Sequence, residues 1–506
     1  MLPKSENSWT LFEAAHLLNR AGFGGSPDEI RAFHALGRFK AVDSLVSPAE
    51  PAAAFPLPAW ANEERAMADM RERMRQRREL RQKLDGLTPE EADKMRREIF
   101  QGMQQENRMQ ALEAQAWWFR RMLQTKAPLR EKMTLFWHDH FATSIQKVRE
   151  PALMLKQNEL FRSYAFGSFK ELAKAIVMDP AMMMYLDTQN SRKGKPNENF
   201  AREVMELFTL GEGNYGERDI SEAARAFTGY QIDRLTGEVT HNPRQWDEGD
   251  KTILGKTGAF NGMDVIDLIF EQPAAARFMA RKIWAFFVHD TLADSAADAL
   301  AAVLRDADYR MEPLLREIFL SREFYSEASI RSQIKCPVQF LIQLLKQLEI
   351  TEPPAGFAIT AQQQLGQVLF MPPNVAGWDW GQAWINTNTL LTRYNLCGFL
   401  TKGAEDGGKA MEREMERMPG MGSAPRRAGR GWNGPDYGKI APRPLRENPA
   451  ELVEALVFRF FHGPVPEKAR ASFVEYAIAK KGVVFTDKET AELCHLMLST
   501  PYYQLC

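Results

Sequence analysis

The stretch Asn197–Gly211, NENFAREVMELFTLG, decides the fold class because it has the pattern of an amphipathic helix. Its apolar residues recur at intervals of three and four, as one face of an α-helix requires. They are Phe200, Ala201, Val204, Leu207 and Phe208. Asn197 or Asn199 can cap the helix, and Glu198 suits its positive N-terminal end. The stretch therefore predicts a helix that buries one face against other helices.

Two glutamates of this helix are three residues apart and therefore share a face. Glu203 and Glu206 have a spacing that, inside a helical bundle, lets carboxylates bridge two metal ions. Such a site requires that the helix be covered on both sides. The alternative is that Glu206, opposite the centre of the apolar stripe, faces water or pairs with Arg202.

The helical pattern extends over most of the chain, and a mainly α fold is predicted. Residues 1–400 are expected to form one large helical domain. Within it, residues 62–124 predict a charged helical hairpin, whose second helix is capped by Thr88 and begins at Pro89. Residues 230–255 predict a small β-hairpin. Residues 402–448 are rich in Gly, Pro and Arg and predict a mobile loop, and residues 449–506 predict C-terminal helices that pack on the main domain.

Composition and charge argue against several classes of protein. The chain has 506 residues, 44% of them hydrophobic, which is enough for one or two large cores. Its 65 basic and 66 acidic residues give a net charge of −1, which argues against nucleic-acid binding. The four cysteines are far apart, so neither a zinc knuckle nor a disulfide framework is indicated. Neither a signal peptide nor an apolar run of about 18 residues is visible, and a cytoplasmic protein without a membrane span is expected.

The stretch Leu135–Ser144, LFWHDHFATS, is the first candidate for chemistry. In an unbroken helix, His140 lies within the apolar stripe, and the ring of His138 diverges from it by about 160°. The two histidines therefore cannot bind one metal ion unless the helix frays. One interpretation is a core histidine satisfied by a backbone carbonyl or a carboxylate. The other is a ligand or an acid–base role for at least one of them, favoured by the neighbouring Asp139.

The stretch Asn374–Asn395, NVAGWDWGQAWINTNTLLTRYN, is the second candidate. Its tryptophans alternate with glycine, which lets backbone approach a ligand closely, and tryptophan often lines pockets. Trp378, Trp384 and Asn386 are predicted to contribute to a binding wall for a carbohydrate, a peptide or a cofactor. The alternative is a rigid aromatic loop that packs on the core.

These motifs together resemble a known bacterial family. The segments AHLLNRAGFGGSP, PLREKMTLFWHDHFATS, DPAMMMYLD and the two stretches quoted above occur in the order that is typical of domain of unknown function eighteen-hundred. The resemblance implies a family without an established activity. It also implies that relatives are often exported and often encoded beside a sulfatase-like family. This chain departs from the family pattern at Phe208 and at Trp246, where relatives often have histidine.

The leading hypothesis is an enzyme with a polar site inside a helical bundle, assisted by a transition metal such as iron or zinc. The expected metal ligands are His138, His140, Glu203 and Glu206, the expected catalytic residues are His138, Asp139, His140 and Glu203, and the supporting residues are Asn197, Asp219 and Arg225. A shared metal requires the His140 ring and the Glu203 carboxylate to lie within about 6 Å of each other. The alternative is a non-catalytic scaffold for a sulfatase-like partner, which would expose an apolar patch.

Overall fold

The computed structural model describes residues 1–6, 8–51, 54–62, 75, 88–233, 237–403, 432, 434–463, 465–480 and 485–506. Helices dominate these residues, which confirms the predicted fold class. None of the helices in this part of the chain is long and apolar enough to cross a bilayer.

The described residues of the first half of the chain form eleven α-helices and one π-helix. The helices are α1 (Leu11–Arg20), α2 (Pro27–Ala35), α3 (Arg38–Val46), α4 (Pro89–Gln124), α5 (Pro128–His140), α6 (Ile145–Val148), α7 (Pro151–Ser163), α8 (Phe169–Val177), α9 (Pro180–Tyr185), α10 (Glu198–Glu203) and α11 (Glu217–Ala226). The π-helix Val204–Thr209 continues directly from α10.

The second half is helical from residue 262 onward. Its helices are α12 (Gly262–Phe270), α13 (Pro273–Phe287), α14 (Asp294–Asp306), α15 (Met311–Phe319), α16 (Pro337–Gln347), α17 (Phe357–Leu365), α18 (Thr387–Lys402), α19 (Tyr437–Ile440), α20 (Arg443–Arg446), α21 (Pro449–Phe461), α22 (Glu467–Lys480) and α23 (Asp487–Leu498).

Two small antiparallel sheets lie between α11 and α12. Strands β1 (Tyr230–Ile232) and β2 (Val239–His241) pair with Tyr230 opposite His241. Strands β3 (Lys251–Ile253) and β4 (Lys256–Gly258) pair with Lys251 opposite Gly258. The predicted β-hairpin is therefore present as β1–β2, and the sequence interpretation missed the separate hairpin β3–β4.

Local sequence signals set several helix starts as predicted. The Thr88 hydroxyl accepts a hydrogen bond from the Glu91 amide, and Pro89 is the first residue of α4. These contacts satisfy amide groups that the first helical turn leaves without a partner. The predicted first helix of the charged hairpin lies mostly outside the described residues. The same holds for residues 404–431 of the predicted loop, which in its described part also contains α19 and α20.

Two hydrophobic cores organise the fold. The first core is built mainly by α1 to α3, α8 to α15 and the π-helix. The second core is built mainly by α4, α16 to α18 and α21 to α23. Helix α5 lies between them, since Met133 and Trp137 belong to the first core and Leu135 to the second. The C-terminal end of α5 therefore brings His138, Asp139 and His140 to the boundary between the cores.

Candidate functional site

His138 faces the second core. Its Nε2 atom accepts a hydrogen bond from the Phe370 amide at 3.1 Å, and its ring contacts Trp118 and Trp378 edge to face. Burial lowers the pKa of His138 to about 3. His138 is therefore a neutral hydrogen-bond acceptor that fixes a backbone amide, because burial disfavours its charged form.

His140 faces the first core. Its Nε2 atom lies 2.9 Å from the Phe208 carbonyl oxygen, and its Nδ1 atom lies 3.3 Å from the Lys282 ammonium. An ammonium group only donates, so Nδ1 is the acceptor and Nε2–H donates to the carbonyl. Burial, and then the charge of Lys282, hold the pKa of His140 well below its usual value. The two rings thus diverge along α5, as the helical spacing predicted.

The π-helix explains why backbone carbonyls are available to these side chains. The last carbonyls of a helix have no partner within the helix, and here the Leu210 amide bonds to the Met205 carbonyl five residues earlier. The Lys282 ammonium donates to the Leu207 carbonyl at 3.2 Å, and His140 donates to the next one. Lys282 and His140 therefore cap the negative end of the π-helix.

Asp139 lies between the two histidines and is half-buried. One carboxylate oxygen accepts from the Trp378 amide at 2.7 Å, and the other accepts from the Trp380 indole N–H at 2.6 Å. Gly377 is required for this approach, because its φ is +87° and a Cβ atom there would lie 2.3 Å from an Asp139 oxygen. Burial raises the pKa of Asp139 to about 6, against the opposing hydrogen bonds and the charge of Lys282.

Lys282 is the basic member of the site and was not among the predicted residues. Burial lowers its pKa, and the charge of Asp139 opposes this shift. Lys282 directly precedes the apolar run IWAFF of α13, and a lysine at the edge of such a run is a sequence signal that could have identified it. Asp139 and Lys282 lie near enough at the boundary between the cores to affect each other's pKa, and each pKa is displaced toward neutrality.

The predicted glutamate pair lies on the half-buried face of α10 and the π-helix. Burial, and then the charge of Glu206, raise the pKa of Glu203. The Tyr215 hydroxyl donates to Glu206 at 3.0 Å. Arg202, proposed as the alternative partner of Glu206, instead forms two hydrogen bonds of 2.9 Å with Glu217. The two carboxylates are thus close enough to interact electrostatically.

Most of the residues predicted to bind or support a metal have their own hydrogen-bond partners and do not converge on one point. In the described ranges, no group of three or more His, Cys, Asp or Glu side chains is arranged to hold an ion. Asn197 caps α10 and donates to the carbonyls of Leu186 and Asp187. Asp219 accepts from the amides of Gly216 and Leu254, and Arg225 pairs with Asp247.

The tryptophan stretch divides into buried and exposed parts. Trp378 and Trp384, both predicted to line a binding wall, are only 5% exposed and belong to the second core. Asn386, the third predicted residue, caps α18 by accepting from the Thr389 amide. Trp380 is 37% exposed, and its ring lies 5.1 Å from that of Phe286. Trp380 is therefore the tryptophan of this stretch that can meet a ligand.

Comparison with known proteins assigns the chain to a family. The sequence profile described as "Protein of unknown function (DUF1800)" matches residues 16–505. The chain belongs to this family. No curated protein and no solved structure gave a significant match. Membership in DUF1800 confirms the resemblance inferred from the motifs, and it brings no established activity with it.

Proposed function

We propose that this protein is an enzyme that transfers protons with Asp139 and Lys282 at the boundary between its two cores. The observation that carries the proposal is a half-buried carboxylate, held by the Trp378 amide and the Trp380 indole, with the half-buried Lys282 ammonium in the same cluster. Displaced pKa values in one cluster are typical of catalytic groups, and boundaries between packed units often contain binding sites. The exposed ring of Trp380 supports the proposal, because it offers a substrate an apolar wall beside the carboxylate.

Each residue of the cluster has a distinct part in this proposal. Asp139 acts as the general acid or base, because a pKa of about 6 allows both of its forms to exist near neutral pH. The Lys282 ammonium stabilises negative charge that develops on the substrate. His140 holds Lys282 in place without exchanging a proton, since its burial and the neighbouring ammonium keep it neutral.

We expect Asp139→Asn and Lys282→Met to lose at least about 100-fold in kcat on any substrate that the wild type converts, the usual contribution of a positioned acid or base. A panel of chromogenic esters, glycosides, phosphate esters and sulfate esters identifies such a substrate. Asp28→Asn and Lys40→Met are matched controls, because both side chains are exposed on α2 and α3. Full activity of Asp139→Asn, or no turnover of any panel member by the wild type, would contradict the proposal.

A metal-assisted form of the proposal keeps His138, His140, Glu203 and Glu206 as ligands of iron or zinc. It requires α5 to unwind near His138, because the two rings face different cores. It also requires His138 to release the Phe370 amide and His140 to release Lys282, because both acceptor nitrogens are engaged. On this form, the purified protein contains one equivalent of metal or more, and added metal raises Tm. Elemental analysis and thermal unfolding measure both quantities, and a metal-free protein with an unchanged Tm removes this form.

A second candidate function is a scaffold that binds another protein, such as the sulfatase-like neighbour of its relatives. The exposed apolar side chains of α18 favour it: Leu390 is 44%, Leu391 59% and Tyr394 50% exposed. Exposed apolar clusters often mark protein contacts. Co-purification of such a partner with the wild type, and its loss with Leu391→Asp, would support the scaffold, provided that Asp139→Asn binds the partner normally.

A further inference from the structure

Phe370 has an unusual backbone conformation for a bulky residue. Its φ is +63°, in the left-handed region that residues other than glycine rarely adopt, and its side chain is fully buried. Such a conformation costs about 1 kcal/mol or more and persists only where the surroundings enforce it. The contacts of Phe370 must therefore supply the constraint.

The chain that precedes Phe370 is fixed independently. The Leu369 amide donates to the Gln362 side chain at 3.0 Å, and the Leu369 carbonyl accepts from Gln115 at 3.1 Å. With residue 369 fixed, the direction of the chain beyond it depends on the dihedral angles of Phe370. Three hydrogen bonds hold these angles. The Met371 amide donates to the Val368 carbonyl at 3.0 Å and closes the turn, the Phe370 amide donates to His138, and the Phe370 carbonyl accepts from the Ile145 amide.

The segment that starts at Phe370 ends on the residue next to His138. Residues 370–380 run from the amide that His138 binds to the Trp378 amide and the Trp380 indole, which both bind Asp139. Consecutive residues of α5 thus hold the two ends of one segment. The close approach of Gly377 to Asp139 leaves little room for the far end to shift.

We infer that His138 is a positioning residue, which acts through the left-handed turn at Phe370 to place Trp378 and Trp380 on Asp139. His138 contacts the Trp378 ring edge to face, but among the described residues it makes no hydrogen bond to Trp378, Trp380 or the Asp139 carboxylate. The influence of its hydrogen bond on these groups therefore passes through the segment 370–380. The inference rests on the proposed function only in treating Asp139 as the group that is positioned. The mechanical link between the two ends of the segment stands on the hydrogen bonds alone.

Amide hydrogen exchange of the Trp378 amide tests this link, because that amide is bonded to Asp139 and lies eight positions beyond the turn. We expect His138→Leu, which fills a similar volume without an acceptor, to speed exchange at Trp378 by at least about tenfold. His138→Gln, which offers a side-chain carbonyl to the Phe370 amide, should restore slow exchange of the Phe370 and Trp378 amides. Unchanged exchange at Trp378 in His138→Leu would overturn the inference.

His16→Leu is the matched control for the loss of a buried histidine. His16 is 2% exposed and bonds to the Phe324 carbonyl at 2.9 Å, remote in sequence from the segment. The His16→Leu substitution should destabilise the protein without selectively speeding exchange of the Trp378 amide. If His16→Leu also sped exchange of the Trp378 amide selectively, general destabilisation would explain the effect of His138→Leu, and the inference would be contradicted.

A measurement on the wild type keeps the inference testable if His138→Leu does not fold. Under native conditions with low denaturant, the Phe370 and Trp378 amides should exchange through one opening, with the same dependence on denaturant. Two separate dependences would show that the ends of the segment open independently and would overturn the inference. Neither measurement needs a substrate. A failure of the proposed enzymatic function would therefore leave the exchange result unaffected, and it can be distinguished from a failure of this inference.

Discussion

Replacing Glu131 with leucine should lower the free energy of unfolding by about 3–5 kcal/mol, the usual cost of removing one partner from a buried ion pair. Glu131 is 1% exposed on α5. Its carboxylate accepts from Arg121 of α4 at 2.8 Å and from Arg162 of α7 at 2.6 and 2.9 Å, and also from the Trp118 indole at 3.0 Å. Leucine would leave the two buried guanidinium groups with only the partly exposed Glu159 as a counter-charge, which pairs with Arg162 and lies 3.9 Å from Arg121.

The pKa values indicate how the charge is shared in this cluster. Burial alone would raise the pKa of Glu131, but Arg162 and Arg121 together lower it below its usual value. The pKa of Arg121 is lowered by burial and by repulsion from Arg162. The pKa of Arg162 is raised, because Glu131, Glu159 and Glu50 together outweigh burial, which is the largest single effect. Arg162 is therefore the better-compensated partner, and Arg121 depends on Glu131 most.

Equilibrium unfolding in urea measures this prediction, with Asp28→Asn as the control. Asp28 pairs with Arg31 on the surface, where its side chain is 93% exposed, so its loss should leave the unfolding midpoint unchanged. Replacing Arg121, Glu131 and Arg162 together with methionine or leucine should recover most of the lost stability, because the charge that then loses its partners, Glu159, is partly exposed to solvent. A Glu131→Leu protein as stable as the wild type would contradict the proposed role of the cluster.

Helices and caps were predictable from the sequence because their causes are local. Thr88 and Pro89 determine the start of α4 within one turn, and the divergence of His138 and His140 follows from the helical repeat alone. The same local pattern placed Glu203 and Glu206 on one face. These features need no knowledge of what packs against the helix.

The partners of the site residues were not predictable, because they come from distant parts of the chain. Phe370 follows His138 by 232 positions, and Lys282 follows His140 by 142. Regular helical spacing also gave no sign of the π-helix, whose free carbonyls accept hydrogen bonds from His140 and Lys282. The sequence thus identified α5 as chemically unusual, while tertiary packing determines what each of its polar residues does.

Lys335 should make the stability of the wild type rise with pH between about pH 7 and pH 9. It is 1% exposed, its ammonium donates to the Tyr503 carbonyl at 2.7 Å, and it lies 3.7 Å from the centre of the Tyr503 ring. Burial lowers its pKa to about 7, Cys506 and Cys397 oppose this shift, and Arg393 and Arg331 add to it. The ammonium of an unfolded chain has a pKa near 10.5.

The sign follows from the proton count of each state. Above pH 7 the native protein releases the Lys335 proton while the unfolded chain keeps it, so the free energy of unfolding rises with pH. The rise from this residue amounts to about 2 kcal/mol between pH 7 and pH 9. Well below pH 7 Lys335 is protonated in both the native and the unfolded state, so it no longer contributes to the change in the free energy of unfolding with pH.

Lys335→Met isolates this effect, because methionine fills a similar volume without a titrating group. The free energy of unfolding of the variant, relative to that of the wild type, should be about 2 kcal/mol lower at pH 9 than at pH 7. Urea unfolding at the two pH values measures the difference, and the exposed Lys40→Met should show the same pH dependence as the wild type. A difference between Lys335→Met and the wild type that stays constant with pH would mean that Lys335 keeps its proton in the native state. The interior around Arg393, itself 1% exposed, would then hold two adjacent buried cations, since Arg393 donates to the Lys335 carbonyl at 2.8 Å.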